Sequence, residues 1–291
     1  MRFVTYRHGH KTSAGLVRGQ NVYDLAQAYF KQFRRPYKFA TLLEFLQSGL
    51  ADKIGDVEFN SMHGDRLVCI PLKEVRFAAP VPRPPKIVCV GLNYRDHAAE
   101  QKKEAPAAPL LFAKAPNAVV GDGDEIAIPY GISEKVDYEV ELGVVIGREG
   151  FKITPADALQ HVFGYTVFND VTARDIQQSD KQWFRAKSFA TFAPMGPAVV
   201  TPEEIDAKSA PLELTVNGQT RQKGSTSDMI FDVAALIVYM SACFPLEVGD
   251  VIATGTPSGV GVFRNPPVFL KAGDRVTATI GGIGSLSNVV K

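Results

Sequence analysis

The chain has 291 residues, 45% hydrophobic and 22% charged, with 32 Lys and Arg against 31 Asp and Glu for a net charge of +1. That supplies enough apolar material for one large domain with a smaller appendage, or for two medium domains, and the near-neutral balance gives no electrostatic ground for a nucleic-acid or anionic-membrane partner. Cys69, Cys89 and Cys243 are odd in number and far apart, which supports neither a disulfide framework nor a thiolate zinc site and reads as reduced, buried thiols; with no apolar leader at the N-terminus, a soluble cytoplasmic protein is expected.

Along the first 77 residues, extended segments are predicted at 2–6, 13–18 and 20–23, and helices at 24–33 and 41–48. Thr41 with Glu44 three positions later has the form of a capping box, and Gly49 ends that helix. The proline cluster Pro80, Pro82, Pro84 and Pro85 continues neither regular element, so a domain boundary is placed there, giving a small N-terminal domain at 1–77 and a larger one at 78–291. Beyond it the pattern is mostly β, with strands predicted at 86–90, 110–114, 118–120, 125–128, 138–146, 162–170, 198–201, 212–216, 251–254 and 275–280. Helices are predicted at 95–102, 155–158, 202–205 and 230–243, and Asn217-Gly218 marks a hairpin turn that demands positive φ. Strands outnumber helices without regular interleaving, so the chain is α+β, predominantly β, and not a βαβ nucleotide-binding domain.

The segment Asp137-Tyr138-Glu139-Val140-Glu141-Leu142 carries the strongest chemical signal. On a strand Glu139 and Glu141 share a face about 7 Å apart, a repulsion of about 2 kcal/mol at an effective dielectric near 20. Buried, the pair calls for a cation. Asp170, at the end of the segment Tyr165 to Asn169, would complete an all-oxygen set suited to Mg²⁺ or Mn²⁺; the alternative is a solvated strand face, with Asp170 capping a turn. His97 and Glu100 lie three apart on a helix, so the carboxylate can fix the imidazole tautomer for general-base work, unless both are ordinary surface residues. Lys114 and Lys187 sit in apolar surroundings, where they bind a substrate carboxylate or snorkel to solvent. Arg174 and Gln177 follow Asp170 closely enough to approach it from a short helix or to lie on a surface one. Thr256, in the glycine-rich run 254–261, offers a hydroxyl donor beside a backbone nest.

Taken in order, Gly91-x-Asn93-Tyr94-x-x-His97-x-x-Glu100, Phe112-x-Lys114, Asp137-x-Glu139-x-Glu141-Leu142, Asn169-Asp170-x-x-x-Arg174-Asp175-x-Gln177, Lys187-Ser188-Phe189 and Thr254-Gly255-Thr256-Pro257-x-Gly259-Val260-Gly261 resemble the fumarylacetoacetate hydrolase superfamily over residues 78 to 291. The N-terminal segment resembles the small α/β domain of bacterial members. The resemblance implies a mixed β-sandwich roll, a homodimer, and Mg²⁺ or Mn²⁺ on Glu139, Glu141 and Asp170. It further implies a His97–Glu100 water-activating dyad, a catalytic Lys187, and Lys114, Arg174, Gln177 and Thr256 toward substrate. Val90 stands where animal fumarylacetoacetate hydrolases have a further acidic ligand, and Ala190 stands where many bacterial members have Asp. The expected activity is C–C cleavage of a small 2-oxo acid, by acylpyruvate hydrolysis or oxaloacetate decarboxylation. A hydroxymuconate-type isomerase and a non-catalytic scaffold are the alternatives, and the segments 100–109 and 264–267 are expected to select the substrate.

Overall fold

A computed structural model describes all 291 residues. Two sheets face each other. The larger runs, edge to edge, through Cys69–Pro71, Asn21–Asp24, Lys11–Arg18, Arg2–His8, Ala193–Val200, Val162–Asn169, Val140–Ile146, Val251–Ala253, Ile87–Gly91 and Leu110–Lys114. The smaller runs through Gln219–Ser225, Pro211–Val216, Arg275–Ile280, Gly284–Val290 and Glu125–Ile126. This is the predominantly β, mixed-sheet sandwich that the sequence led us to expect. Strand Arg2–His8 pairs with Ala193–Val200 through Arg2 and Phe3, so the N-terminal strands extend the same sheet that carries the central strands.

Period-two alternation in Val140–Ile146 explains how a sheet can hold charge in its interior. Val140, Leu142, Val144 and Ile146 enter the core between the two sheets, beside Leu212, Leu214, Val276 and Ile280. Val145 belongs instead to a second core on the opposite face, formed with Phe168, Ala253 and the N-terminal residues Leu25, Tyr29 and Phe45. Glu141 and Gly143 share the parity of Val145. One face of this strand therefore builds the sandwich, while the other reaches a site beyond it.

Several elements depart from expectation. The predicted strand 138–146 begins only at Val140, because the Glu139 N–H donates to Asn169 Oδ1 instead of joining a ladder. Glu139 and Glu141 are thus not two positions of one regular strand. The polar strand Gln219–Ser225 and the Ser-rich strand Gly284–Val290 were not expected, since half of their side chains face solvent and hide the apolar period. Strand Ala193–Val200 starts well before the predicted 198–201 despite Pro194 and Pro197; its ladder with Val162–Asn169 shifts register between Tyr165 and Val167, where strict donor pairing lapses. The helices predicted at 155–158 and 202–205 are single 3₁₀ turns, Ala158–His161 and Pro202–Glu204. Cys243 is exposed, not buried, on the outer face of helix Val233–Cys243. Thr41 does cap helix Leu42–Gln47 through the Glu44 N–H, and Asn217 and Gly218 both take positive φ. No helix is long and apolar enough to cross a membrane.

Candidate active site

Carboxylate oxygens of Glu139, Glu141 and Asp170 lie within 4.8 Å of one another, and all three residues are buried. Glu141 comes from the central strand. Glu139 comes from the irregular step before it, and Asp170 from the end of the neighbouring strand, where its N–H donates to Glu139 O at 2.9 Å. Around them stand three buried cations. Lys187 Nζ donates to Glu139 Oε2 at 2.7 Å and to Asp170 Oδ2 at 2.5 Å. Lys114 Nζ donates to Asp170 Oδ1 at 2.5 Å and to Val171 O at 3.0 Å. Arg174 reaches Glu139 Oε1 through Nη2 at 2.6 Å and Asp137 Oδ2 through Nε at 2.8 Å.

Four carboxylates (Asp137, Glu139, Glu141, Asp170) thus face three cations, and Glu141 has none in contact. Its one hydrogen bond comes from the Gly255 N–H at 2.8 Å. Burial, reinforced by the charges of Asp170 and Glu139, pushes the Glu141 carboxyl well above the usual carboxylate range. Glu139 moves the other way: burial pushes it up, but Lys187 and Arg174 outweigh that and hold it well below the usual range. Burial lowers Lys187 less than Asp170 and Glu139 raise it, so it stays firmly charged. Lys114 falls below the ordinary lysine range because burial, with Lys187 nearby, outweighs Asp170. An all-oxygen, convergent cluster in which one buried carboxyl has no cationic partner fits a hard divalent cation.

The cluster opens into a cavity of about 420 Å³ whose lining includes His97, Glu139, Glu141, Arg174, Gln177 and Lys187. Helix Arg95–Glu100 presents His97 with Nδ1 2.8 Å from Glu100 Oε2, and that contact makes Nδ1 the protonated nitrogen and Nε2 the free base. Gln177 Oε1 accepts from Arg174 Nη1 at 3.1 Å, leaving its amide NH₂ uncommitted. Phe112 and Trp183 meet edge to face at 5.0 Å on another wall.

Some sequence-predicted residues are placed differently. Lys114 does not line the cavity; it lies behind Asp170, fully buried, where no substrate reaches it. Thr256 does line it, but its hydroxyl donates to Val140 O and accepts from Gln222 Nε2, both at 2.8 Å, so its proton is spent on the fold. Arg264 does not line the cavity, whereas its neighbours Val262 and Phe263 do. Ala190 is exposed. Asp137 received no role from sequence, yet it orients Arg174 and accepts from the Gly261 and Val262 N–H groups; its place at the head of the alternating acidic run was the available signal.

One stretch of chain, residues 254–262, joins the carboxylate cluster to the helix that carries His97. Besides Gly255 on Glu141 and Gly261 on Asp137, the Gly259 N–H donates to Glu100 Oε1 at 2.9 Å. Ser258 donates through N–H and hydroxyl to Asp96 Oδ2, and Asn93 Nδ2 donates to Thr254 O. Gly255 has φ +96°, and a Cβ there would lie 2.8 Å from Asn93 Cβ and 3.1 Å from Val90 O. Gly255→Ala is therefore expected to cost about 1–3 kcal/mol, a fall in Tm of about 2–5 °C for a chain of this size, measured by thermal unfolding.

Comparison with known proteins shows the family. The chain is 42% identical over its whole length to "Oxaloacetate tautomerase YisK" of Bacillus subtilis (strain 168), covering 100% of both proteins. It is 47% identical to human "Oxaloacetate tautomerase FAHD2A, mitochondrial", over 77% of this chain and 72% of the relative. Among solved structures, "Fumarylacetoacetate hydrolase (EaFAH)" from psychrophilic Exiguobacterium antarcticum superposes with a TM-score of 0.86 at 38% identity, covering 100% of this chain and 99% of that one. A Mycobacterium smegmatis structure described as a 5-carboxymethyl-2-hydroxymuconate delta-isomerase gives 0.78 at 33% identity, with coverage of 100% and 99%. The family description "Fumarylacetoacetate (FAA) hydrolase C-terminal" matches residues 86–291, and on that match and these relatives the chain belongs to the fumarylacetoacetate hydrolase family.

Proposed function

We propose that the protein is a divalent-metal-dependent enzyme that moves a proton between the keto and enol forms of a small 2-oxo dicarboxylic acid of the oxaloacetate type. One observation carries the reading: a carboxylate-oriented imidazole and a convergent three-carboxylate cluster open on the same cavity. Mg²⁺ or Mn²⁺ held by Glu139, Glu141 and Asp170 would supply Lewis-acid polarisation of the 2-oxo group. His97 Nε2 takes the proton from C3 and delivers it to the C2 oxygen to give the enol, or moves it the opposite way, while Glu100 stabilises the imidazolium in between. Lys187, tied to Glu139 and Asp170 beside the cavity, places positive charge where the enolate oxygen develops. Arg174 holds Glu139 in position, Gln177 offers an amide donor to the substrate, and Phe112 and Trp183 keep water from one wall.

The relatives named as oxaloacetate tautomerases support proton transfer as the principal reaction. Cleavage of the same enolate precursor, by decarboxylation or by hydrolysis of an acylpyruvate such as fumarylpyruvate, is the further outcome that this reading allows. A cytoplasmic homodimer belongs to the same proposal. The test is an oxaloacetate assay with Mn²⁺ that follows loss of enol absorbance and, separately, release of pyruvate and CO₂. Fast enol loss abolished by EDTA is expected. Full activity in EDTA would remove the metal from the reading, and no turnover of any 2-oxo acid would favour a scaffold.

A further inference from the structure

Three cations line the cavity: Lys103, Arg174 and Lys187. Arg174 and Lys187 are each bridged to buried carboxylates, whereas Lys103 is exposed and has no carboxylate partner. Its Nζ instead donates to Gln101 Oε1 at 2.9 Å. That contact fixes the Gln101 amide with its nitrogen pointing the other way, onto His97 Nε2 at 2.8 Å. Since Glu100 holds the His97 proton on Nδ1, Gln101 donates to the one lone pair with which His97 acts as a base. The free base is thus capped by an amide whose other end is held by the cavity's one unbridged cation.

Resting on the keto–enol proton transfer proposed above, we propose that Lys103 recognises the distal carboxylate of a dicarboxylic 2-oxo acid, and that Gln101 couples this recognition to the base. A carboxylate offers Lys103 an ionic acceptor in place of the neutral amide oxygen, and hydrogen bonds to charged partners are about twice as strong. When Lys103 turns to the substrate, the amide loses its anchor and His97 Nε2 is released. A monocarboxylic acid has nothing to draw Lys103 away and meets a capped base. Both residues follow directly on helix Arg95–Glu100: Lys102 takes a left-handed φ of +54° and the Lys103 N–H closes the helix on Ala98 O at 2.9 Å. Recognition and base are therefore joined by a single turn of backbone. Lys103 is a substrate-binding residue in this scheme and Gln101 a positioning residue.

The test compares kcat/KM for oxaloacetate with that for 2-oxobutyrate, read as exchange of the C3 proton into D₂O, in wild type, Lys103→Met, Lys103→Arg and Gln101→Ala. In Lys103→Met the ratio of dicarboxylate to monocarboxylate is expected to fall about 10–100-fold, the worth of one charged hydrogen bond, and Lys103→Arg should restore most of it. In Gln101→Ala the base is uncapped, so the ratio should fall about 2–10-fold through a gain on 2-oxobutyrate. In the metal-free protein, the His97 Nε2 nitrogen resonance, assigned by its loss in His97→Ala, should move downfield in Gln101→Ala, toward a nitrogen with an unoccupied lone pair. A ratio unchanged in Lys103→Met, or a His97 resonance unmoved in Gln101→Ala, overturns the proposal. Exchange of neither acid by wild type would instead reject the 2-oxo acid reading, with the resonance still reporting on the cap.

Discussion

Glu141→Gln is expected to lose at least about a thousandfold in activity, the size of several kcal/mol of transition-state stabilisation, while folding as well as the wild type. The two halves of this expectation have one cause. Glu141 is the buried carboxylate without a cation, so ionising it opposes folding until a divalent ion arrives. An amide of the same shape keeps the Gly255 hydrogen bond and never ionises. In wild type, Mn²⁺ at a hundred times its Kd should stabilise by about 2.7 kcal/mol, raising Tm by about 4 °C. The variant should start at or above the metal-free wild-type Tm and show no rise. Because Glu141 holds its proton to higher pH than an ordinary carboxyl, a cation must displace that proton, and wild-type affinity should strengthen as pH climbs. A variant that still gains several degrees from Mn²⁺ would remove Glu141 from the ligand set.

His97→Ala is expected to lower kcat by about 10²–10⁴-fold, the usual contribution of a positioned base, with the Mn²⁺ shift in Tm retained. His97 contacts Glu100, Gln101 and Asp96 and none of the three clustered carboxylates directly. Glu100→Gln should fall between wild type and His97→Ala, since an amide still positions the ring but no longer stabilises the imidazolium. Equal loss of metal response and turnover in His97→Ala would show that the imidazole supports the cluster and is not a separate base.

The carboxylates were legible because two acids at alternate positions run straight into the apolar segment Leu142-Gly143-Val144-Val145-Ile146, where burial calls for a compensating charge. Local signals with a steric cause, such as the Thr41 cap and Asn217-Gly218, were equally readable. What escaped was what depends on distant partners. Asn169 takes the Glu139 N–H out of the ladder from the next strand over, and Val140 O takes the Thr256 proton; neither pairing leaves a trace in local sequence. Lys114 reads as a cation next to an apolar segment, but its burial behind Asp170 is a property of the sheet edge. The strands Gln219–Ser225 and Gly284–Val290 have one wet face each, so no apolar period marked them.

The stretch 254–262 grips Glu141, Glu100, Asp96 and Asp137 through its own backbone and Ser258. It works as a ruler: the span from base to carboxylates is set by covalent chain length, which thermal motion cannot stretch, and not by the sum of many soft packing contacts. Such a gauge lets the outer wall change freely. Residues 101–109 can be rewritten in evolution or in the laboratory, altering which acid is admitted, while the reactive groups keep their mutual spacing. A single residue inserted between Gly255 and Gly261 would instead put the grips on its two sides out of step with each other.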